Sequence, residues 1–231
     1  MFRFVTKKEL WDIEDSGLLD EVPQTLTWNL KSIQDSIAYG HLFQFENKRI
    51  AEIGGGNSRV LRALARKNQC VNIDKFEGAG GGPTQSNLPE NISLIQAYLG
   101  KETKELIQDD FFDALFSISV IEHIPNHYLG DLFQESARIV KRDALAIHLI
   151  DIYCIDVPTN QPRMSLLTDL FFKYFRPLEK DILAPDDIKF SCANATNPDS
   201  TMNRWNKVVP ELRKVRETHQ SCSLILAGFR V

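Results

Sequence analysis

Ala51-Glu52-Ile53-Gly54-Gly55-Gly56-Asn57-Ser58 reads as the end of a β-strand that turns through three glycines into a helix. Glycine has no Cβ, so it takes positive φ and lets a ligand approach the backbone, while amides at a helix start offer hydrogen-bond donors. A nucleoside-bearing ligand suits such a turn; a merely tight connection is the plain alternative. The next apolar run ends at Asp74, 20 residues beyond Gly54. That is the separation at which a carboxylate reaches the ribose hydroxyls of a nucleotide lying over the turn. A second glycine cluster, Gly78-Ala79-Gly80-Gly81-Gly82-Pro83, reads as a loop rather than a second cradle.

Outward from this turn, short apolar runs alternate with amphipathic ones, the pattern of a parallel sheet flanked by helices. The expected strands are Arg49 to Ile53, Cys70 to Asp74, Ile92 to Gln96, Asp113 to Ser119 and Ala144 to Tyr153, all read as buried, with Ser223 to Val231 as a final inserted strand. Helical spacing is expected over Leu10 to Leu19 and Leu26 to Tyr39, with Pro23 between them, then over Ser58 to Lys67, Tyr128 to Lys141 and Met164 to Phe175, the last ended by Pro177. The segment from Ser191 to Asn203 is polar.

The chain has 231 residues, 43% hydrophobic, enough for one domain with a sizeable core. Its 27 Lys plus Arg against 31 Asp plus Glu give a net charge of -4 without a long run of one sign, so a nucleic-acid partner is not expected. No apolar run approaches the roughly 20 residues of a membrane span. Cys70, Cys154, Cys192 and Cys222 form no Cys-x-x-Cys pair and no signal peptide pattern opens the sequence. Free thiols and a cytoplasmic location are therefore expected, and Asn91 and Asn194 as glycosylation matches carry no meaning. No metal site is expected.

Between Arg49 and Asp151 the sequence resembles the class I S-adenosylmethionine-dependent methyltransferases, of the small-molecule type-11 kind. Glu52 to Gly56 is similar to the family's acidic-x-Gly-x-Gly loop, and Asp74 to its strand-two carboxylate. Phe112-Asp113-Ala114-Leu115-Phe116-Ser117-Ile118-Ser119-Val120-Ile121-Glu122-His123-Ile124-Pro125 is similar to its fourth-strand segment, and this string separates the resemblance from the dehydrogenases. The sequence departs from the family pattern at Ser58, where a third glycine is frequent, and at Gln96-Ala97-Tyr98, where an acidic residue is usual.

The resemblance implies an α/β fold, doubly wound, with a mostly parallel seven-stranded sheet whose last strand is antiparallel. Residues 1–45 would form an N-terminal helical lid, 46–155 the cofactor-binding core, and 156–231 the acceptor-site and C-terminal strands of one domain. It implies S-adenosylmethionine as cofactor, held by Glu52, Gly54, Gly55, Gly56, Asn57, Asp74, Lys75, Ala97, Tyr98 and Ser119, with Gln96 or Phe76 as further contacts to the base. The reaction would place a methyl group on an O or N atom of a small molecule, an activity of secondary metabolism, by a monomer or homodimer.

Methyl transfer is a displacement in which positioning and exclusion of water matter most. A base is useful where the acceptor carries a proton, and a histidine, with a pKa of ~6.5, serves at neutral pH. His123, after the fourth strand, is the first candidate; His148 and Asp151 follow. The plainer readings are that Glu122-His123 braces the loop and that His148 is a hydrogen-bonded core residue, with His41 and His127 on the surface. Tyr153, Asn203 and Trp205 are candidates for lining an acceptor pocket. The rival functions are a nicotinamide-dependent oxidoreductase, which would use the same turn and Asp74, and a cofactor-binding protein without turnover.

Overall fold

Arg49–Ile53 (β2), Gln69–Ile73 (β3), Ile92–Ile95 (β4), Phe112–Ile118 (β5) and Val140–Cys154 (β6) pair in parallel, in the spatial order β6-β5-β2-β3-β4. These are the five strands read from the sequence, within two residues except at the start of β6. The structure, a computed structural model, describes residues 1–18, 30–78, 82–154, 161–184 and 220–231. Against the far side of β6 runs Gln220–Arg230 (β8), antiparallel from Leu145↔Phe229 to Cys154↔Gln220. The expected inserted last strand is thus present.

Along the outer edge of β8 lie two short strands end to end: Phe2–Phe4 (β1), opposite Leu224 to Leu226, and Phe175–Pro177 (β7), opposite Gly228 to Arg230. Among the described residues the sheet therefore has eight strands, not the seven expected, because three residues at the start of the chain complete it. Pro177 is not a helix stop but a member of β7. It sits on an edge, where a missing N–H costs no ladder bond. One other expectation is corrected at the opposite edge: β4 is not buried, since Ser93 and Leu94 face solvent with a neighbour on one side only.

Helices cover both faces. Lys7–Asp15 (α1) starts at a capping box made by Thr6 and Glu9; Leu30–Leu42 (α2) and Arg59–Leu64 (α3) pack on one face, and Leu129–Ile139 (α4) and Gln161–Phe172 (α5) on the other. The period of two along each strand feeds both cores: Ala114 and Phe116 face α2 and α3, whereas Leu115 between them faces α4 and α5. Helix α4 stops two residues before the expected Lys141 because Val140 adopts extended backbone and begins β6. Lys141 then reaches across to Asp113 on β5, Nζ to Oδ1 2.7 Å.

The N-terminal segment expected as a lid contributes β1 to the sheet and α2 to a buried layer, and α2 presents Lys31 and Asp35 to the site described below. Residues 19–29, which include Pro23, lie outside the described residues, as do 79–81, 155–160 and the whole of 185–219, with Cys192, the Ser191 to Asn203 segment and Trp205. Tyr153 falls at the end of β6. Cys70 is a free, buried thiol, and Cys222 is buried in β8. Among the described residues no helix is long and apolar enough to cross a membrane, and no group of His, Cys, Asp and Glu is arranged to hold a metal ion.

Candidate active site

At the carboxyl ends of β2, β3, β5 and β6 opens a crevice of about 1090 Å³, the position at which open α/β sheets bind ligands. Its floor is the glycine turn. Gly54 and Gly56 have φ of +62° and +53°, and a Cβ on Gly54 would come within 2.7 Å of the Val120 side chain. Ser58 caps α3 by accepting from the Leu61 amide at 2.9 Å.

The glycine amides are not free, contrary to expectation. Gly54 N–H donates to Ile73 O at 2.8 Å, Gly55 N–H to Asn72 Oδ1 at 3.1 Å and Gly56 N–H to Asp74 Oδ2 at 2.8 Å. Asn72 also donates to Gly56 O at 2.9 Å. The turn is thus pre-shaped by its own protein, and Asp74 does two jobs: it fixes the turn and, through Oδ1, the Phe76 amide at 2.7 Å, while facing the crevice. Asn72 was not anticipated as a site residue. A wholly buried amide in an otherwise apolar strand is the signal that marks it.

Glu52 also lines the crevice, 3% exposed, and its Oε2 has no hydrogen-bond partner among the described residues. Burial pushes its carboxyl up to about 8, against the Ser58 hydroxyl and Lys31, which pull it back, and with Asp35 and Asp74 adding to the rise. Asp35 is ion-paired with Arg59 at the crevice wall.

Ala97 is buried and Tyr98 is 40% exposed on the β4 side, both lining the crevice, and Tyr98 donates to Glu77 Oε2 at 2.8 Å. Lys75 also lines it but is paired with Glu102 at 2.9 Å. Asn57 lines it as well, yet its side chain is engaged with the following loop: the Asn87 amide donates to Oδ1 at 2.6 Å. Gln96 faces outward and donates to Lys75 O at 3.2 Å, so it does not serve the crevice, whereas Phe76, at φ +55°, does.

On the β5 and β6 side, Ser119 adopts φ +53°, a left-handed conformation that side chains rarely take and that concentrates at functional positions. Its hydroxyl lies 2.7 Å from Gln34 Oε1 and 3.1 Å from Asp151 Oδ1. Gln34, buried on α2, donates to Asp151 Oδ1 at 2.6 Å and to Ser223 Oγ at 3.0 Å. The residues Ser119, His123 and Asp151 thus share one wall of the crevice. His148 does not. It points from β6 into the α4–α5 core, fully buried, its Nδ1 2.9 Å from Ser117 Oγ and its ring edge-on to Phe133 and Phe171 at 5.6 Å. Burial lowers its pKa to about 3, so it is a neutral core residue and not a base. His127 is exposed as expected, but His41 is half-buried, with its pKa lowered by burial.

The family model described as a methyltransferase domain matches residues 51–148. Over this stretch the chain is similar to methyltransferase domains. The match begins at the glycine turn and ends on β6, so the resemblance to the S-adenosylmethionine-dependent class holds over the span that carries it. Solved structures similar to the chain include the geranyl diphosphate C-methyltransferase of Streptomyces coelicolor A3(2), in complex with Mg2+, geranyl-S-thiolodiphosphate and S-adenosyl-L-homocysteine. It is 14% identical with a TM-score of 0.58, over 87% of this chain and 77% of that one. A geranyl diphosphate methyltransferase in complex with S-adenosylmethionine is 12% identical, TM-score 0.56, over 87% and 86%. Likeness at this level bears on the fold alone. No curated protein matches the chain.

Proposed function

We propose that the protein transfers the methyl group of S-adenosylmethionine to an oxygen or nitrogen atom of a small acceptor. The observation that carries this reading is Glu52: a buried carboxyl with an unmet oxygen, facing a crevice whose floor a Cβ would obstruct. A bound ammonium would give that oxygen its partner, and the methionine part of the cofactor carries one. Asp74 would hold the ribose, and Ala97 and Tyr98 would flank the adenine. When bound, the cofactor supplies a methyl group already activated on a sulfonium.

What remains for the chain is to place the acceptor, shed water and accept a proton. Ser119 and Asp151 offer polar anchors on the acceptor wall, and His123 beside them is the base for an O–H or N–H acceptor. Two of the cations around the crevice are committed, Arg59 to Asp35 and Lys75 to Glu102.

Calorimetry with S-adenosylhomocysteine and with NAD tests the cofactor. Binding of the former and not the latter is expected, and Asp74→Ala should weaken it at least fivefold, about 1 kcal/mol, through loss of charge-assisted hydrogen bonds. Binding of NAD alone would replace this reading with the oxidoreductase.

A further inference from the structure

The carboxyl end of β5 holds a second buried carboxyl, which the methyl-transfer reading does not use. Glu122 lies in the tight helical turn Ile121–His123. Both of its Oε atoms are sealed from solvent without a hydrogen-bond partner among the described residues, a rare situation that calls for a reason. The amides of Glu122 and Asp151 lie near the carboxyl without forming hydrogen bonds of good geometry.

Charged groups face it from each neighbouring element. On its own turn, His123 Nε2 is 3.9 Å from Oε1. From β6 comes Asp151, whose like charge discourages ionisation, and from α2 Lys31, which favours it. On α5, Arg163 donates to Ile121 O at 2.6 Å and to Ile124 O at 2.8 Å, so both ends of the turn are clamped, and its charge interacts with Glu122. Burial first, and Asp151 second, push the Glu122 carboxyl up to about 8. His123 itself lines the crevice with Lys101 and Tyr128 nearby.

We propose that Glu122 is a positioning residue acting through His123: it orients the imidazole at the crevice wall and, as a carboxylate, takes over the proton that His123 removes from an O–H or N–H acceptor. The proposal rests on the methyltransferase reading of the crevice. In the step, the acceptor's O–H or N–H bond breaks and an N–H bond forms on His123. The proton arrives on Nδ1, and the N–H bond on Nε2, the nitrogen nearer Glu122, breaks as an O–H bond forms on Glu122; no oxidant or further reactant enters. Because the relay needs the carboxylate, it opens as pH rises toward 8.

The test is a proton titration of the protein alone, followed at the His123 ring by NMR. The wild type should show, besides the transition of the imidazole itself, an inflection near pH 8 that tracks Glu122. Glu122→Gln should remove that inflection, Glu122→Asp should retain it, and Asp151→Asn should move it to lower pH. A wild-type curve with a single transition, or one unchanged by Glu122→Gln, overturns the proposal; if Glu122→Gln fails to fold, an inflection unmoved by Asp151→Asn does so. The titration needs neither cofactor nor acceptor, so its failure is separable from a failure to bind S-adenosylhomocysteine.

Discussion

Two buried titratable side chains, Glu52 and His148, pull the stability of this protein in opposite directions as pH changes. Burial pushes the Glu52 carboxyl up to about 8 in the folded chain from an ordinary value of 4.5, so folding is favoured below pH 4.5 and that contribution is lost as pH rises through 8. Glu52→Gln removes its share of the dependence and leaves that of Glu122: between pH 6 and 9 the free variant should lose less Tm than the wild type, while its affinity for S-adenosylhomocysteine falls fivefold or more. Thermal scans and calorimetry on the same preparation check both halves, and a variant that binds as tightly as the wild type would remove Glu52 from the cofactor site. For His148 burial lowers the pKa to about 3 from the ordinary 6.5 of an imidazole. Its contribution is complete above pH 6.5 and is lost as pH falls toward 3, at up to about 1.4 kcal/mol per pH unit. His148→Leu should therefore show a shallower acid slope in denaturant melts; an equal slope would assign the acid sensitivity elsewhere.

Among the elements, the turn between β2 and α3 is the least tolerant of change. Gly54→Ala would force a side chain into left-handed backbone and against Val120, so a loss of about 2 kcal/mol is expected in equilibrium unfolding; a loss below about 0.5 kcal/mol would mean the turn relaxes. This turn, its helix and its strands were legible because each depends on neighbours close in sequence: an apolar run, then glycines, then a capping serine. Asp74, Ser119 and His123 were legible for the same reason, as residues at strand ends. What was not legible depends on distant partners. Gln34 meets Asp151 across 117 positions, and nothing in α2 announces it. β1 and β7, of three residues each, are too short for periodicity to register and exist because β8 offers them an edge. His148 and Asp151 sit three residues apart on one strand, yet only the second faces the crevice, since β6 alternates sides.

Across the whole molecule, stability should be graded by position in the sheet. β5 and β6 have strands on both sides and helices on both faces, whereas β4 has one neighbour and an exposed surface. Hydrogen exchange should run slowest in β5, β6 and the middle of β8 and fastest in β4. Equal protection of β4 and β5 would contradict the edge assignment. The order of the strands also bears on how the molecule is made. During synthesis the parallel half can assemble while β6 still shows an open edge, and β1, made first, has nothing to pair with until Leu224 to Leu226 arrive. Residues 220–230 therefore act as the closing zip of a vectorial process, and until they leave the ribosome the nascent chain carries a bare, apolar ribbon that invites capture by chaperones.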